Sequence, residues 1–120
     1  MKTVHLTAEY FLDLLKEVKL FHWFTENYEM HLISDGLHSD LSSSFDKIAE
    51  SLIGHSGYSP PRPPTIARGD TVFQNLLKCE VFLKKIQCPR ARASVDDALE
   101  SIGKFMYLSQ LARAPRDARR

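Results

Sequence analysis

Residues 28–53, YEMHLISDGLHSDLSSSFDKIAESLI, decide the fold of this chain. Apolar residues recur there every three or four positions, which predicts one long amphipathic helix ending near Gly54. Gly36 and the serine run 42–44 lower its intrinsic helix propensity, so the helix depends on packing against other helices. The small side chains also allow another helix to approach closely. The apolar set comprises Met30, Ile33, Leu37, Leu41, Phe45, Ile48, Ala49 and Leu52.

The proline-rich segment 55–69 cannot continue this helix, because proline removes a backbone donor and blocks the preceding turn. In polyproline geometry about 14 residues reach ~40 Å, and a helix of about 26 residues is ~39 Å long. The segment could therefore return the chain to the other end of a bundle, as the long crossover of ferritin-like bundles does. A flexible surface loop and a docking segment for a proline-binding domain are the alternatives.

Three further amphipathic patterns complete an all-α fold, a ferritin-like four-helix bundle with a long crossover between helices 2 and 3. The first helix runs to residue 24, the third is closed by Pro89, and the fourth ends near residue 112. The residues expected to cap the starts of these helices are Thr7, Asp70 and Ser94, the last in a capping box with Asp97.

The length and composition are those of one small domain. The 120 residues carry a formal net charge of +1, and no apolar run approaches the ~20 residues of a membrane span. The first seven residues are too short and polar for a signal peptide. Cys79 and Cys88 form no disulfide framework, which fits a reducing compartment. We therefore expect a cytoplasmic protein with a bundle over 1–112 and a basic tail over 113–120.

Potential metal ligands are concentrated in the first half of the chain, since residues 57–120 contain no histidine. Imidazole nitrogens together with carboxylate oxygens suit redox iron, Fe2+/Fe3+. The chain has no Glu-x-x-His motif, so a di-iron site within one subunit is not expected. The first two helices would have to supply the ligands, with help from a second copy. The candidate ligands are His22, His31, Asp35, Asp46 and Glu50.

Each candidate also has a purely structural interpretation. His22 could be a helix-end histidine near the negative end of the helix dipole, and Trp23 could be a core residue. Asp46 and Glu50 could be solvated helix charges. The remaining histidines have no matching role and are expected on the surface or in loops: His5, His38 and His55. Of these, His38 follows Asp35 by three residues, so it could be a supporting ligand.

The pattern of these residues resembles the Dps-like mini-ferritins. His22-Trp23, at the end of the first helix, is similar to the family's histidine-tryptophan pair. His31 and Asp35 are similar to its second histidine and the acidic residue four positions later. Residues 46–50, DKIAE, resemble its D-x-I-A-E segment on the second helix.

This resemblance covers mainly residues 10–54 and implies an intersubunit ferroxidase site. His22, His31 and Asp35 of one subunit would face Asp46 and Glu50 of its two-fold partner, and iron(II) would be oxidised there by peroxide or oxygen. The resemblance further implies a self-assembling protein, a two-fold dimer with a dodecameric cage as the larger form. Iron storage and protection of DNA would follow from that assembly.

Two other functions are compatible with the sequence. One is a non-catalytic structural or assembly protein that keeps the ferritin-like bundle. The other is DNA binding through the basic tail, for which a solvated, frayed terminus is the simpler interpretation. The charged residues of that tail are Arg113, Arg116, Asp117, Arg119 and Arg120.

Overall fold

The computed structural model describes residues 2–55 and 57–113, and in these ranges the chain is helical throughout apart from turns and connecting segments. This confirms the all-α class and a four-helix bundle. The predicted tail lies outside the described residues from position 114 onward. The elements in chain order are α1 (Lys2–Phe24), α2 (Tyr28–Gly54), α3 (Val72–Lys84), a 3-10 turn (Pro89–Ala91) and α4 (Arg92–Arg113).

The helix α1 begins five residues earlier than the sequence predicted, and Thr7 does not cap it. Thr7 is fully buried within the helix, and its hydroxyl donates a hydrogen bond to the Thr3 carbonyl at 2.8 Å. A threonine hydroxyl can make this bond to the carbonyl four residues back inside a helix as readily as it caps a terminus. The apolar pattern therefore extends back to Val4, which is also buried.

The helix α2 matches its predicted span to within one residue at the C-terminal end. Asn27 caps its start, because the Asn27 side-chain oxygen accepts a hydrogen bond from the Met30 amide at 3.0 Å. The predicted apolar set faces the protein interior, with only Ile33 and Ala49 half-buried. This helix packs most extensively of all, against α1 on one side and α4 on the other.

The helix α3 is capped by Thr71, so the predicted cap Asp70 was wrong by one residue. Thr71 and Gln74 form a reciprocal capping box, with bonds of 3.1 and 2.8 Å. Asp70 instead accepts a hydrogen bond from the Ala67 amide and pairs with Lys78 at 2.9 Å. These contacts hold the end of the connecting segment against the first turns of α3.

The predicted capping box at Ser94 was also wrong, because α4 begins at Arg92, directly after the 3-10 turn. Pro89 is the first residue of that turn, so the chain is already helical before α4 begins. Ser94 is therefore a buried residue in the first turn of α4 and not its cap. Pro89 does not itself end α3, which stops at Lys84, five residues earlier. The proline's fixed φ suits the first position of a helical turn, which explains its place here.

The core is organised by aromatic rings from all four helices. Phe11 of α1 stacks on Phe45 of α2 with a centroid distance of 4.1 Å. At one end of the bundle, Phe21 contacts Phe73 and Phe105 edge to face.

None of the described helices contains an apolar stretch of the length that crossing a bilayer requires.

Replacing Phe45 by alanine should lower the free energy of unfolding by about 3–5 kcal/mol, because it empties a fully packed position and removes the ring stacked on Phe11. Val81→Ala, at an exposed site on α3, should change that free energy by less than about 0.5 kcal/mol. Urea denaturation followed by circular dichroism, at one protein concentration, measures both. Similar losses in the two variants would contradict this assignment of the core.

Candidate metal centre

The end of α1 and the start of α2 are joined by a reciprocal pair of hydrogen bonds between two histidines. His22 Nδ1 lies 2.7 Å from the His31 carbonyl oxygen, and His31 Nδ1 lies 2.8 Å from the His22 carbonyl oxygen. The two imidazole rings stack with centroids 4.0 Å apart. The structure thus brings these two predicted ligands together, and the sequence did not reveal the hydrogen bonds that hold them.

These bonds determine which ring nitrogen is available. A carbonyl oxygen can only accept, so Nδ1 of both His22 and His31 must carry a hydrogen and donate it. In the neutral ring Nε2 then holds the free lone pair. Metal-binding histidines commonly donate one ring N–H to a backbone carbonyl and bind through the other nitrogen, because this fixes the tautomer and the ring orientation.

A buried serine completes the support of His22. Ser34 is fully buried, its hydroxyl donates to the His31 carbonyl at 3.1 Å, and its Oγ lies 3.2 Å from His22 Nδ1. His22 itself is only 9% exposed. Sequence reasoning missed Ser34; its position three residues after His31, on the buried face of α2, is the signal that could have identified it.

Asp35 lies beside the free nitrogen of His22. Its Oδ1 is 3.8 Å from His22 Nε2, and its side chain is mostly exposed. Two ligand atoms on a tetrahedral ion, each ~2.0–2.1 Å from the metal, are roughly 3.3 Å apart, so a small movement of the Asp35 side chain would bring these atoms to ligand spacing. Within residues 2–55 and 57–113, however, no three His, Cys, Asp or Glu side chains are grouped so that they could hold a metal ion.

Asp46 and Glu50 are exposed on α2, but the structure does not bring them to the histidines of the same chain. Asp46 follows Asp35 by eleven residues, which is three helical turns and about 16 Å along the axis. A straight helix cannot shorten that distance. The five predicted ligands therefore form two separate groups in one chain, a histidine-rich group with Asp35 and an acidic group.

Between these two groups, an open groove of about 800 Å³ runs along the face shared by α1 and α2. Asp35, His38 and Asp46 line it on the α2 side, with Leu12 and Lys19 on the α1 side. Leu12 is 68% exposed, which is unusual for a leucine in the middle of a helix. The small side chains of Ser39, Ser42 and Ser43 also line the groove.

His38 is half-buried in this groove, so it is not the plain surface residue that the sequence suggested. Burial lowers the pKa of His38, the positive charge of Lys19 lowers it further, and the carboxylate of Asp35 opposes both effects. The lowered pKa favours the neutral imidazole, the form in which a ring nitrogen can bind a metal. The role of His38 as an additional ligand stays a prediction.

One tryptophan and two histidines considered in the sequence lie outside the groove. Trp23 is 61% exposed at the end of α1, so it is not a core residue in the single chain. His5 is on the surface of α1, paired with Glu9 at 3.1 Å. His55 directly follows α2, and its ring approaches Cys88 rather than the groove.

Comparison of this chain with protein-family models, with curated proteins and with solved structures finds no match.

The neutral imidazoles of His22 and His31 should both be protonated at Nδ1, because each donates from that atom to a carbonyl. Long-range proton–nitrogen NMR spectra, recorded well above the ordinary histidine pKa of ~6.5, distinguish the two tautomers. His5 is the internal control, since its Nε2 faces Glu9 and should carry the hydrogen. Finding the hydrogen on Nε2 of both His22 and His31 would contradict the proposed ligand geometry.

Proposed function

We propose that this protein forms a two-fold dimer through the α1–α2 groove and oxidises iron(II) at two equivalent sites in the interface. Each site comprises His22, His31 and Asp35 of one protomer together with Asp46 and Glu50 of the partner subunit. Iron is the substrate, and peroxide or oxygen is the oxidant. The reciprocal hydrogen bonds of His22 and His31 are the observation that carries this proposal, since they leave the Nε2 lone pair of each ring unused, that of His22 beside the carboxylate of Asp35.

The spacing along α2 supports a shared site. In two antiparallel copies of one helix related by a two-fold axis, residues at equal distances on either side of the axis lie opposite each other. The midpoint of His31 and Glu50 coincides with that of Asp35 and Asp46, between residues 40 and 41. One axis position therefore brings both acidic residues of each protomer to the histidine-rich group of the other.

The groove supports a second copy of this chain as its occupant. The two ends of the groove differ in chemistry, because the histidines lie near one end and Asp46 and Glu50 near the other. An antiparallel copy would place donor nitrogens against carboxylates at both ends, so the surface is complementary to itself. The partner subunit would cover Leu12 in the dimer, and the serines that line the groove would allow close approach of the helices.

The connecting segment after α2 supports the ferritin-like crossover. The segment starts beside the turn between α3 and α4, where the Tyr58 hydroxyl accepts a hydrogen bond from the Gln87 amide at 2.8 Å. It ends at Val72, next to Phe73, whose ring contacts Phe21 at the end of α1. The chain thus runs along the length of α3, about 20 Å for its 13 residues. A crossover of this kind fits better than a flexible loop or a free docking segment, because Pro60 is also buried.

The chemistry follows from the ligand types. The neutral imidazoles bind iron(II) through nitrogen, while the carboxylates of Asp35 and of the partner subunit's Asp46 and Glu50 add negative charge. Negative charge stabilises iron(III) more than iron(II), which favours oxidation. Coordination positions not taken by the protein admit the oxidant. Storage of the oxidised iron would additionally require a closed cage.

A second function is favoured by one observation, the lack of a complete ligand group among the described residues of a single chain. The protein could be a structural helical bundle that dimerises through the same groove and oxidises no iron. Both functions require the dimer. They differ in whether Glu50 and His31 bind iron.

Wild-type protein should sediment as a dimer at micromolar concentration. Ser42→Arg should convert it to a monomer, because a long side chain in place of a small one in the groove would hold the two helices apart. Ser59→Arg, at an exposed site in the connecting segment, should leave the dimer intact. Analytical ultracentrifugation measures all three, and a strictly monomeric wild type would exclude both the dimer and the shared site.

Glu50→Gln should lower the rate of peroxide-driven iron(II) oxidation at least about tenfold, since ~1.4 kcal/mol of lost stabilisation is enough. The substitution removes the charge and keeps the shape, so the fold and the dimer should persist. His31→Ala should lower the rate similarly. The absorbance of iron(III) measures the reaction.

Glu100→Gln and His5→Ala are the matched controls for this experiment, because both residues are exposed and lie outside the groove. Both controls should oxidise iron at the wild-type rate. Oxidation by the wild type no faster than in buffer, or wild-type rates in both Glu50→Gln and His31→Ala, would reject the enzyme and leave the structural function.

A further inference from the structure

A second pair of chemically active side chains lies at the opposite end of α2. His55 directly follows the last residue of this helix, and its Nδ1 is 3.2 Å from the Sγ of Cys88. Cys88 is a free thiol that precedes the 3-10 turn. An imidazole nitrogen within hydrogen-bond distance of a thiol can accept its proton, which is the common arrangement for activating a cysteine nucleophile.

The imidazole is held in place by its surroundings. The Tyr58 ring stacks on that of His55 with a centroid distance of 5.5 Å and an interplanar angle of 14°. The Tyr58 hydroxyl is anchored in turn by the hydrogen bond from the Gln87 amide. His55 lies at the C-terminal end of α2, and these contacts fix its ring beside Cys88.

Cys88 is reached from a cavity of about 600 Å³ between the end of α3 and the start of α4. The residue is only 2% exposed but contributes to the cavity wall, together with Lys84, Arg92 and Asp96. Such restricted access admits a small, uncharged reagent and excludes a bulky one.

The other cysteine provides a natural contrast. Cys79 is fully buried on α3 and contributes to the hydrophobic core. Burial raises the pKa of its thiol to about 12, so it stays protonated at neutral pH and is a poor nucleophile. Both thiols are buried in the core, but of the two only Cys88 has an imidazole nitrogen within hydrogen-bond distance and contributes to a cavity wall.

We propose that Cys88 is a peroxide-reactive thiol and that His55 serves as its proton acceptor and donor. The thiol proton passes to His55 Nδ1, and the Sγ lone pair attacks one oxygen of hydrogen peroxide. The O–O bond breaks, and the departing hydroxide takes the proton from the imidazolium to form water. Sulfur is oxidised by two electrons to a sulfenic acid and the peroxide is reduced. The reaction uses no residue of the groove and does not depend on the iron site.

The test exposes the full-length protein to hydrogen peroxide with a metal chelator present, which removes any contribution from iron. After the peroxide is removed, the protein is unfolded in urea containing dimedone, which traps the sulfenic acid wherever it has formed, and peptide mass spectrometry assigns the adduct to a residue. Cys88 should be labelled at least about ten times faster than Cys79. His55→Asn should reduce the labelling rate of Cys88 at least about tenfold, since the amide fills similar space but cannot take up the proton.

His5→Asn is the matched control and should be labelled at the wild-type rate. Equal labelling of both cysteines, faster labelling of Cys79, or no adduct at Cys88 would overturn the proposal. So would a wild-type rate in His55→Asn whose circular dichroism spectrum is unchanged. If that variant fails to fold, the wild-type comparison of the two cysteines decides, with Cys88→Ser confirming the assigned adduct.

Discussion

Burial of one face of α2 between α1 and α4 is the constraint on which the other features of this molecule depend. A rigid helix that buries Leu41, Phe45 and Ile48 must present its opposite face outward, because successive side chains are rotated by about 100°. Asp35 and Asp46 are exposed on the outward side, and the half-buried His38 lies at its edge, all three along the open groove. The hydrophobic core therefore determines the position of every polar group that this surface offers, although none of those groups contributes to the core.

The same constraint accounts for the geometry at the end of α1. The Phe11–Phe45 stack sets the register between the two helices, and that register brings His22 beside His31. His31 then donates to the His22 carbonyl at the C-terminal end of α1, where backbone oxygens lack partners within the helix, while His22 donates to the His31 carbonyl in the first turn of α2. The pair thus has a structural role in closing the α1–α2 turn whether or not a metal binds. The chemical consequence is separate: both Nδ1 atoms are occupied, and both Nε2 atoms are left free.

Periodicity predicted the helices well and their termini poorly. The span of α2 follows from apolar spacing alone, because a buried apolar stripe of this length leaves little choice of where the helix begins and ends. Thr7, Asp70 and Ser94 were misassigned for a common reason: a short polar side chain can cap a helix, bond within it or bind a nearby lysine, and tertiary packing selects among these. Likewise, the sequence indicated which histidines could bind a metal but not their tautomers, which depend on contacts between residues nine apart. The His55–Cys88 contact joins residues 33 apart, and no local pattern indicates it.

The two ends of α2 thus carry different chemistry, separated by a distance that keeps them independent. His31 and His55 are 24 residues apart in sequence, about 36 Å along the helix, which is several times the Debye length at physiological salt. A charge change at one end therefore has little electrostatic effect on the other. Direct coupling would have to pass through movement of the helix itself, and its burial against two neighbours opposes such movement. The proposed oxidation of Cys88 and the proposed binding of iron in the groove are accordingly expected to be separable, so a substitution that abolishes one should not disturb the other.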